Sequence, residues 1–217
     1  MKKYINPILV TLLLAGTACS CKKSNSAAPK DYTASIKDKT WWGTLTYTGK
    51  TTEYYSVVFK ADNSLLWSQM SGDTPGQWVL DGKALTITFT GSSLQIKANI
   101  SDDDKLTGIG DNTPNSEINS GQLIATPNVY LDNTTWKGSI TATSQPFQMS
   151  FTSPLKVETK YEAAPFGPYI YSRSMSAAAI RFFSAAAGGT IFGVIISNNE
   201  MRGNTTLSNS EWKVIKQ

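Results

Sequence analysis

The sequence predicts an all-β protein that is built from two similar units. Apolar and polar residues alternate in short runs that recur roughly every eight to twelve residues, with Gly, Asn, Asp, Ser or Pro between them. Asp-Gly in LDGK lies between two such runs, which is typical of a tight hairpin. The motif TWWGTLT at 40–46 also returns as TTWKGSIT at 134–141. The strand pattern therefore contains an internal repeat.

In the first unit, alternation predicts eight strands separated by short turns. We place them near 41–48, 54–60, 64–70, 76–81, 84–90, 93–100, 105–109 and 121–126. The polar stretch 110–121 is predicted to be a loop, and 126–133 is predicted to link the units. The alanine-rich stretch 175–189 resembles a helix, but its AIRFF core aligns with a strand of the first unit. We therefore predict a strand with small flanking residues there.

The repeat continues past its opening motif. Four further pairs of segments match in the same order: YSVVF with FQMSF, GQWVL with GPYIY, LTITF with AAIRF, and ISDDDKLTG with ISNNEMRG. Their order defines two β units, at 39–127 and 134–217. On composition and strand count alone, each unit fits either a barrel or an immunoglobulin-like sandwich.

Strand alternation predicts which way the repeated tryptophans point, because residues two apart share one face. Trp41 and Gly43 are assigned to the inner face of the first unit, and Trp136 and Gly138 to that of the second. Trp42 then faces outward, where the second unit carries Lys137. An outward tryptophan either covers a contact between the units or offers a platform for a ligand.

These residues resemble the lipocalin-like domains of Gram-negative lipoproteins. The similarity lies in the Trp before Gly of the first strand, in FKADNSL at 59–65, and in GQWVLDGKALTIT at 76–88. It covers most of 40–126 and, more loosely, 135–217. It implies two tandem antiparallel meander barrels of about eight strands each, with a tryptophan at the base of each barrel. We assign Trp78 and its repeat counterpart Tyr169 a structural role; the alternative is two immunoglobulin-like β-sandwiches.

The N-terminus is typical of an exported chain. A cationic start is followed by a short apolar run over 8–18 that ends in small residues, as in a signal peptide. GTACSCKKS resembles the lipobox of bacterial lipoproteins, in which a cysteine is lipidated; the candidates are Cys21 and Cys19. We expect a signal peptide and lipobox over 1–21, a flexible tether over 22–38, and anchoring in the cell envelope, at either face of the outer membrane.

Composition restricts the chemistry. The chain has no histidine, and its two cysteines lie in the lipobox, which excludes a Ser-His-Asp triad, a Cys-His pair and common zinc sites. Three aspartates in SDDDK at 101–105 suit either a calcium ion or a soluble turn. Without the two signal lysines, 18 basic residues face 16 acidic ones, which does not indicate nucleic-acid binding. We predict no catalysis, no cofactor and no metal.

Two function classes remain. The first is a lipid-anchored binding or accessory protein whose barrels hold a small apolar or glycan ligand, with Trp42, Tyr54 and Trp67 as ligand-binding residues. The second is a structural or assembly lipoprotein whose barrels are filled by their own side chains and bind only an envelope protein partner. An eight-stranded barrel is compatible with both, since its interior is either just filled or holds one small ligand.

Overall fold

The computed structural model describes residues 30–47, 52–111, 116–118, 122–125, 129–153, 156–161, 164–173, 178–184, 189–206 and 210–217. Over these ranges the chain is almost entirely β, with one short helix, α1 (Tyr32–Ile36). The strands of the first unit are β1 (Lys39–Tyr47), β2 (Thr52–Phe59), β3 (Ser64–Gln69), β4 (Gly72–Asp81), β5 (Ala84–Phe89), β6 (Gln95–Ile100), β7 (Leu106–Asp111), β8 (Ser116–Ile118) and β9 (Gln122–Ala125).

The first unit, called barrel 1 below, is an antiparallel meander in which each strand from β1 to β7 pairs with the next. The other edge of β1 is covered by two short strands: Leu45 pairs with Ile118 of β8, and Trp41 pairs with Leu123 of β9. Together β8 and β9 occupy the position of an eighth strand. β8 lies in the stretch 110–121, which was predicted to be a loop. That prediction was wrong for β8 because its short polar sequence lacks an alternating apolar run.

The second unit, called barrel 2 below, is a closed antiparallel barrel of eight strands. They are β10 (Thr134–Ile140), β11 (Pro146–Ser153), β12 (Lys156–Tyr161), β13 (Ala164–Arg173), β14 (Ala179–Ser184), β15 (Gly189–Ser197), β16 (Glu200–Thr205) and β17 (Ser210–Lys216). β10 and β17 pair to close it. The meander order of both units confirms the tandem barrels and makes the immunoglobulin-like alternative wrong. β14 also confirms the strand that was predicted inside the alanine-rich stretch.

The first two strands of each barrel show the repeat at the level of hydrogen-bonded register. Trp41 pairs with Val57 in barrel 1, and Trp136 pairs with Met149 in barrel 2. Gly43 likewise pairs with Tyr55, as Gly138 pairs with Phe147. The matched sequences YSVVF and FQMSF therefore occupy equivalent positions.

The repeat is looser in the middle of the barrels. Trp78 pairs with Ile87, whereas Ile180, which the sequence matches to Ile87, pairs with Arg173. Arg173 lies four residues beyond Tyr169. Tyr169 itself pairs through its backbone with Val157, and its side chain lies outside the described residues. Tyr169 is thus not the register equivalent of Trp78.

Barrel 1 is packed around a continuous cluster of aromatic rings. Trp41 is fully buried and meets Phe59 edge-on, with ring centroids 4.9 Å apart. Phe59 in turn meets Trp78 edge-on at 5.8 Å. Edge-to-face pairs of this kind add to the burial of apolar area. These contacts confirm the inward direction of Trp41 that strand alternation predicted.

Barrel 2 has its own core, which includes the fully buried Trp136 and Trp212. Trp212 lies against β15 and β16 where both strands carry glycine: a Cβ added at Gly193 would come within 2.5 Å of the indole, and one at Gly203 within 2.6 Å. The two glycines therefore make room for the ring. Gly138 is exposed, although alternation assigned it to the inner face, and a Cβ there would overlap the carbonyl oxygen of Lys213 on β17.

The packed part of the chain begins before residue 39. Asp31 caps α1 by accepting hydrogen bonds from the backbone N–H groups of Thr33 and Ala34. Ile36 at the end of α1 is fully buried in the core of barrel 1. Residues 31–38 were assigned to the tether because Ile36 is a single apolar residue in a polar stretch, which gives no pattern that predicts burial. No helix in the described part of the chain is long and apolar enough to cross a membrane.

The segment between the barrels is also partly packed. Val129 and Leu131, which lie in the predicted linker, are buried in the core of barrel 2. The carbonyl oxygen of Leu131 accepts a hydrogen bond from the backbone N–H of Thr134 at 3.1 Å. Barrel 2 therefore draws on residues that precede its first strand.

Candidate functional site

The outward residues of β1 and β2 form the centre of a contact between the two barrels. Trp42 is half-buried and stacks on Tyr54, with ring centroids 6.3 Å apart and planes 14° from parallel. Tyr54 belongs to an apolar cluster with Phe192 and Val194 of β15. Of the two roles predicted for the outward Trp42, the contact between the units is the one that the structure contains.

Asn204 of β16 joins the barrels by two hydrogen bonds to the backbone of β2. Its Oδ1 accepts from the N–H of Tyr54 at 2.5 Å, and its Nδ2 donates to the carbonyl oxygen of Thr52 at 2.9 Å. β3 ends at Gln69, which pairs with Tyr55, so this part of β2 extends beyond its neighbour. The side-chain amide of Asn204 therefore hydrogen-bonds the backbone groups of β2 that β3 does not pair.

Arg181 of β14 makes a second polar connection to barrel 1. Its Nε and Nη2 donate to the carbonyl oxygen of Gln69 at 3.1 and 2.6 Å, and Nη2 also contacts Asp73 Oδ1 at 2.7 Å. The guanidinium lies over the ring of Phe192, 5.6 Å from its centroid. The ion pair of Arg181 with Asp73 is only partly exposed. Since the guanidinium also has several hydrogen-bond partners, the position of the Arg181 side chain is well defined.

Arg202 brings charge next to the stacked rings. Its guanidinium lies 5.5 Å from the Trp42 ring centroid, and its Nε donates to Glu200 at 2.7 Å. Burial, followed by the negative charge of Glu211, raises the pKa of Tyr54 to about 12, although Arg202 acts in the opposite direction. Burial opposes ionisation of Glu200, but hydrogen bonds from Arg202 and Lys213 outweigh it and lower the pKa of Glu200. Tyr54 is thus held neutral and Glu200 charged.

Trp67, the third residue predicted to bind a ligand, lies in the core of barrel 1 and apart from Trp42 and Tyr54 in the packing. It stacks on Tyr55 at 4.5 Å and meets Phe89 edge-on at 5.7 Å. Its Nε1 donates to Gln69 Oε1 at 2.9 Å. The structure therefore places Trp67 in a packing role, and its binding of a ligand stays a prediction.

The three aspartates of SDDDK are each paired with a lysine. Asp104 contacts Lys30 at 2.5 Å, Asp102 contacts Lys83 at 3.0 Å, and Asp103 contacts Lys105 at 2.7 Å. Hydrogen bonds from Lys105 and Ser101 lower the pKa of Asp103 to about 2. In the described ranges, no group of three or more acidic side chains is arranged to hold a metal ion.

Asp102 also fastens the N-terminal segment to barrel 1, since it accepts a hydrogen bond from the Tyr32 hydroxyl. That bond, followed by the one from Lys83, lowers the pKa of Asp102. The turn at 101–105 is thus an attachment point for α1 and for the residue that precedes its cap.

The contact between the barrels has a sequence signal that strand alternation does not reveal. β2 reads TEYYSVVF and is buried on both faces from Tyr54 onward. β15 reads GTIFGVIIS and is buried on both faces over most of its length. A continuous apolar run indicates a strand that is covered on both sides. Asn204 and Arg181 carry no such signal, because a polar residue on an outer face is ordinarily solvated.

Comparisons with known proteins leave the chain without an assigned family. No protein-family model matches it, and no curated protein matches it. The lipidation candidates Cys19 and Cys21 lie outside the described residues. The site is therefore defined by its own contacts alone.

Proposed function

We propose that the protein is a lipid-anchored accessory protein of the cell envelope that presents its two barrels as one body and binds partners on its outer surface. The anchor is proposed from the apolar run at 8–18 and from GTACSCKKS. Several acyl chains on one cysteine, as the resemblance to lipoproteins implies, would hold the body at the membrane. Cys21 or Cys19 would carry them.

The observation that supports surface binding is that the aromatic residues predicted to bind a ligand are covered by other residues of the protein. Trp42 and Tyr54 are engaged in the contact between the barrels, and Trp67 is covered by Tyr55 and Phe89. These are the residues that would otherwise offer faces to a glycan or an apolar ligand. We therefore favour the second function class, in which an envelope protein is the partner. A small apolar or sugar ligand remains the other candidate.

We propose no catalytic activity, no cofactor and no binding of nucleic acid. This rests on the absence of histidine, on the position of both cysteines within GTACSCKKS near the N-terminus, and on the near balance of charge. These features remove the usual nucleophile–base pairs and the strongly basic surface that nucleic acid requires.

Metabolic labelling with a fatty acid tests the anchor. We expect the wild-type chain to carry label in a Gram-negative host and to fractionate with membranes, and the Cys19→Ala/Cys21→Ala variant to lose both properties. The single variants identify the modified cysteine. Label retained in the double variant would exclude lipidation at this motif.

Native mass spectrometry after mild purification tests surface binding against interior binding. We expect no sugar or apolar ligand to be retained inside barrel 1. A stoichiometric sugar or lipid that survives purification, and that is lost in Trp67→Ala but not in Trp42→Ala, would instead support a ligand inside barrel 1.

A further inference from the structure

Three side chains form a row on the outer face of barrel 2. Lys137 of β10 pairs with Gln148 of β11, and Gln148 pairs with Lys160 of β12. Side chains at paired positions project from the same face of an antiparallel sheet. Lys137 and Lys160 are exposed and Gln148 is half-buried, whereas their chain neighbours Trp136 and Thr159 are buried. The row therefore faces away from the core.

A pocket of about 180 Å³ opens at this row. It is lined by Lys137, Gly138, Pro146, Phe147, Gln148 and Lys160. Since a water occupies about 30 Å³ of liquid, the pocket has room for a group of a few non-hydrogen atoms. Gly138 lines it with backbone atoms only.

Neither of the two lysines forms an ion pair with a described residue. The ion pairs among the described residues involve Lys30, Lys83, Lys105, Arg181, Arg202 and Lys213. Lys137 and Lys160 stand two strands apart, which is about 10 Å between their Cα atoms at a strand spacing of about 4.8 Å. Flexible lysine stems allow both ammonium groups, each with three donors, to reach one anion between them.

Barrel 1 shows that the fold does not require charge in this row. The equivalent row in barrel 1 is Trp42, Ser56 and Ser68, joined by the same pairings across β1, β2 and β3. Ser56 and Ser68 are fully buried there, and β2 contacts β15 and β16. The row that is covered in one barrel is open and cationic in the other.

We propose that the pocket at Lys137, Gln148 and Lys160 binds a phosphate group, either of a soluble phosphate ester or of a lipid headgroup. Phosphate offers several acceptor oxygens in a compact volume, which matches two ammonium groups and the amide of Gln148. The Nε2 of that amide donates one proton to Ser150 Oγ at 3.0 Å, and its second proton is left for the anion. The lipid source has a further contact available, because the partly exposed Ile215 pairs with Lys137 on the other side of β10. This proposal does not depend on the lipid anchor.

Isothermal titration calorimetry of the full chain in neutral detergent micelles tests the proposal, with inorganic phosphate as the probe and chloride at equal ionic strength as the blank. The test variant is Lys137→Gln/Lys160→Gln. The matched control is Lys97→Gln/Lys156→Gln, which removes the same charge at two exposed positions that do not line the pocket. We expect saturable binding by wild type and control, and binding about tenfold weaker or more in the test variant.

Failure of the wild type to bind phosphate, or equal weakening in both double variants, would overturn the proposal. Titrations with glycerol 3-phosphate and dihexanoyl phosphatidic acid then separate the two sources. Tighter binding of the short-chain lipid than of glycerol 3-phosphate, lost in the test variant, identifies a headgroup. Equal or weaker binding of the lipid identifies a soluble phosphate ester.

Discussion

Replacing Asn204 by leucine removes both hydrogen bonds of its amide while keeping a side chain of similar size. The change deprives the N–H of Tyr54 and the carbonyl oxygen of Thr52 of their partners. A buried backbone group that loses its partner costs about 1–3 kcal/mol. Because Thr52 is half-buried and water can reach its carbonyl, we expect the free energy of unfolding to fall by about 2–4 kcal/mol.

Urea denaturation of the full chain measures this loss, and a thermal melt should show the midpoint roughly 5–15 °C lower. The control is Asn99→Leu, the same chemical change at an exposed position of β6. Hydrogen exchange provides a local readout, since the amide proton of Tyr54 should exchange faster in Asn204→Leu only. If the two variants differ by less than about 0.5 kcal/mol and Tyr54 exchanges as in wild type, Asn204 does not connect the barrels.

Three further predictions follow from burial and charge. Trp41→Ala and Trp136→Ala should each lower the free energy of unfolding by about 3–5 kcal/mol, and half-buried Trp42→Ala by less; a larger loss for Trp42→Ala in urea denaturation would contradict the strand register. Because the folded pKa of Tyr54 is raised to about 12, the neutral form is favoured by folding, so stability should fall as pH rises from about 10 toward 12. Melts over that range should show a shallower fall in Tyr54→Phe, and equal slopes would refute the assignment. Ile36→Ala should cost about 2–5 kcal/mol by the same denaturation assay, whereas a cost near zero would mean that α1 is not part of the packed core.

The strands of barrel 1 could be located from sequence because most of them are buried on one face only. β4, for example, alternates buried and exposed positions around Trp78, and that pattern depends on local geometry alone. The register of β1 followed from the same reasoning, since Trp41 is buried and Trp42 only partly so. The alternation of apolar and polar residues was thus sufficient to predict most strands of barrel 1 and the direction of their side chains.

The contact between the barrels could not be located in this way. Alternation assigns a residue to a face but does not say what covers that face. Tyr54 therefore looked like an outward aromatic available to a ligand, although Phe192 of the other barrel covers it. α1 escaped prediction for a related reason, since one buried Ile36 in a polar stretch leaves no periodic pattern. Contacts between distant parts of the chain are decided by tertiary packing, which single-strand patterns do not contain.

The internal repeat places different residues at equivalent positions of the two barrels. Trp42 and Lys137 occupy equivalent positions on β1 and β10, and neither is needed inside its barrel. Tryptophan at that position joins Tyr54 in the contact between the barrels, whereas the lysine of barrel 2 is exposed to solvent.

The net charge of the two halves also differs in sign. Residues 39–127 carry six lysines and nine carboxylates, and residues 132–217 carry eight basic and five acidic residues. One of those opposite charges is used between the barrels, in the pair of Arg181 with Asp73. Lys137 and Lys160 on the open row form no ion pair with a described residue, so the phosphate proposed above is better matched to barrel 2 than to barrel 1.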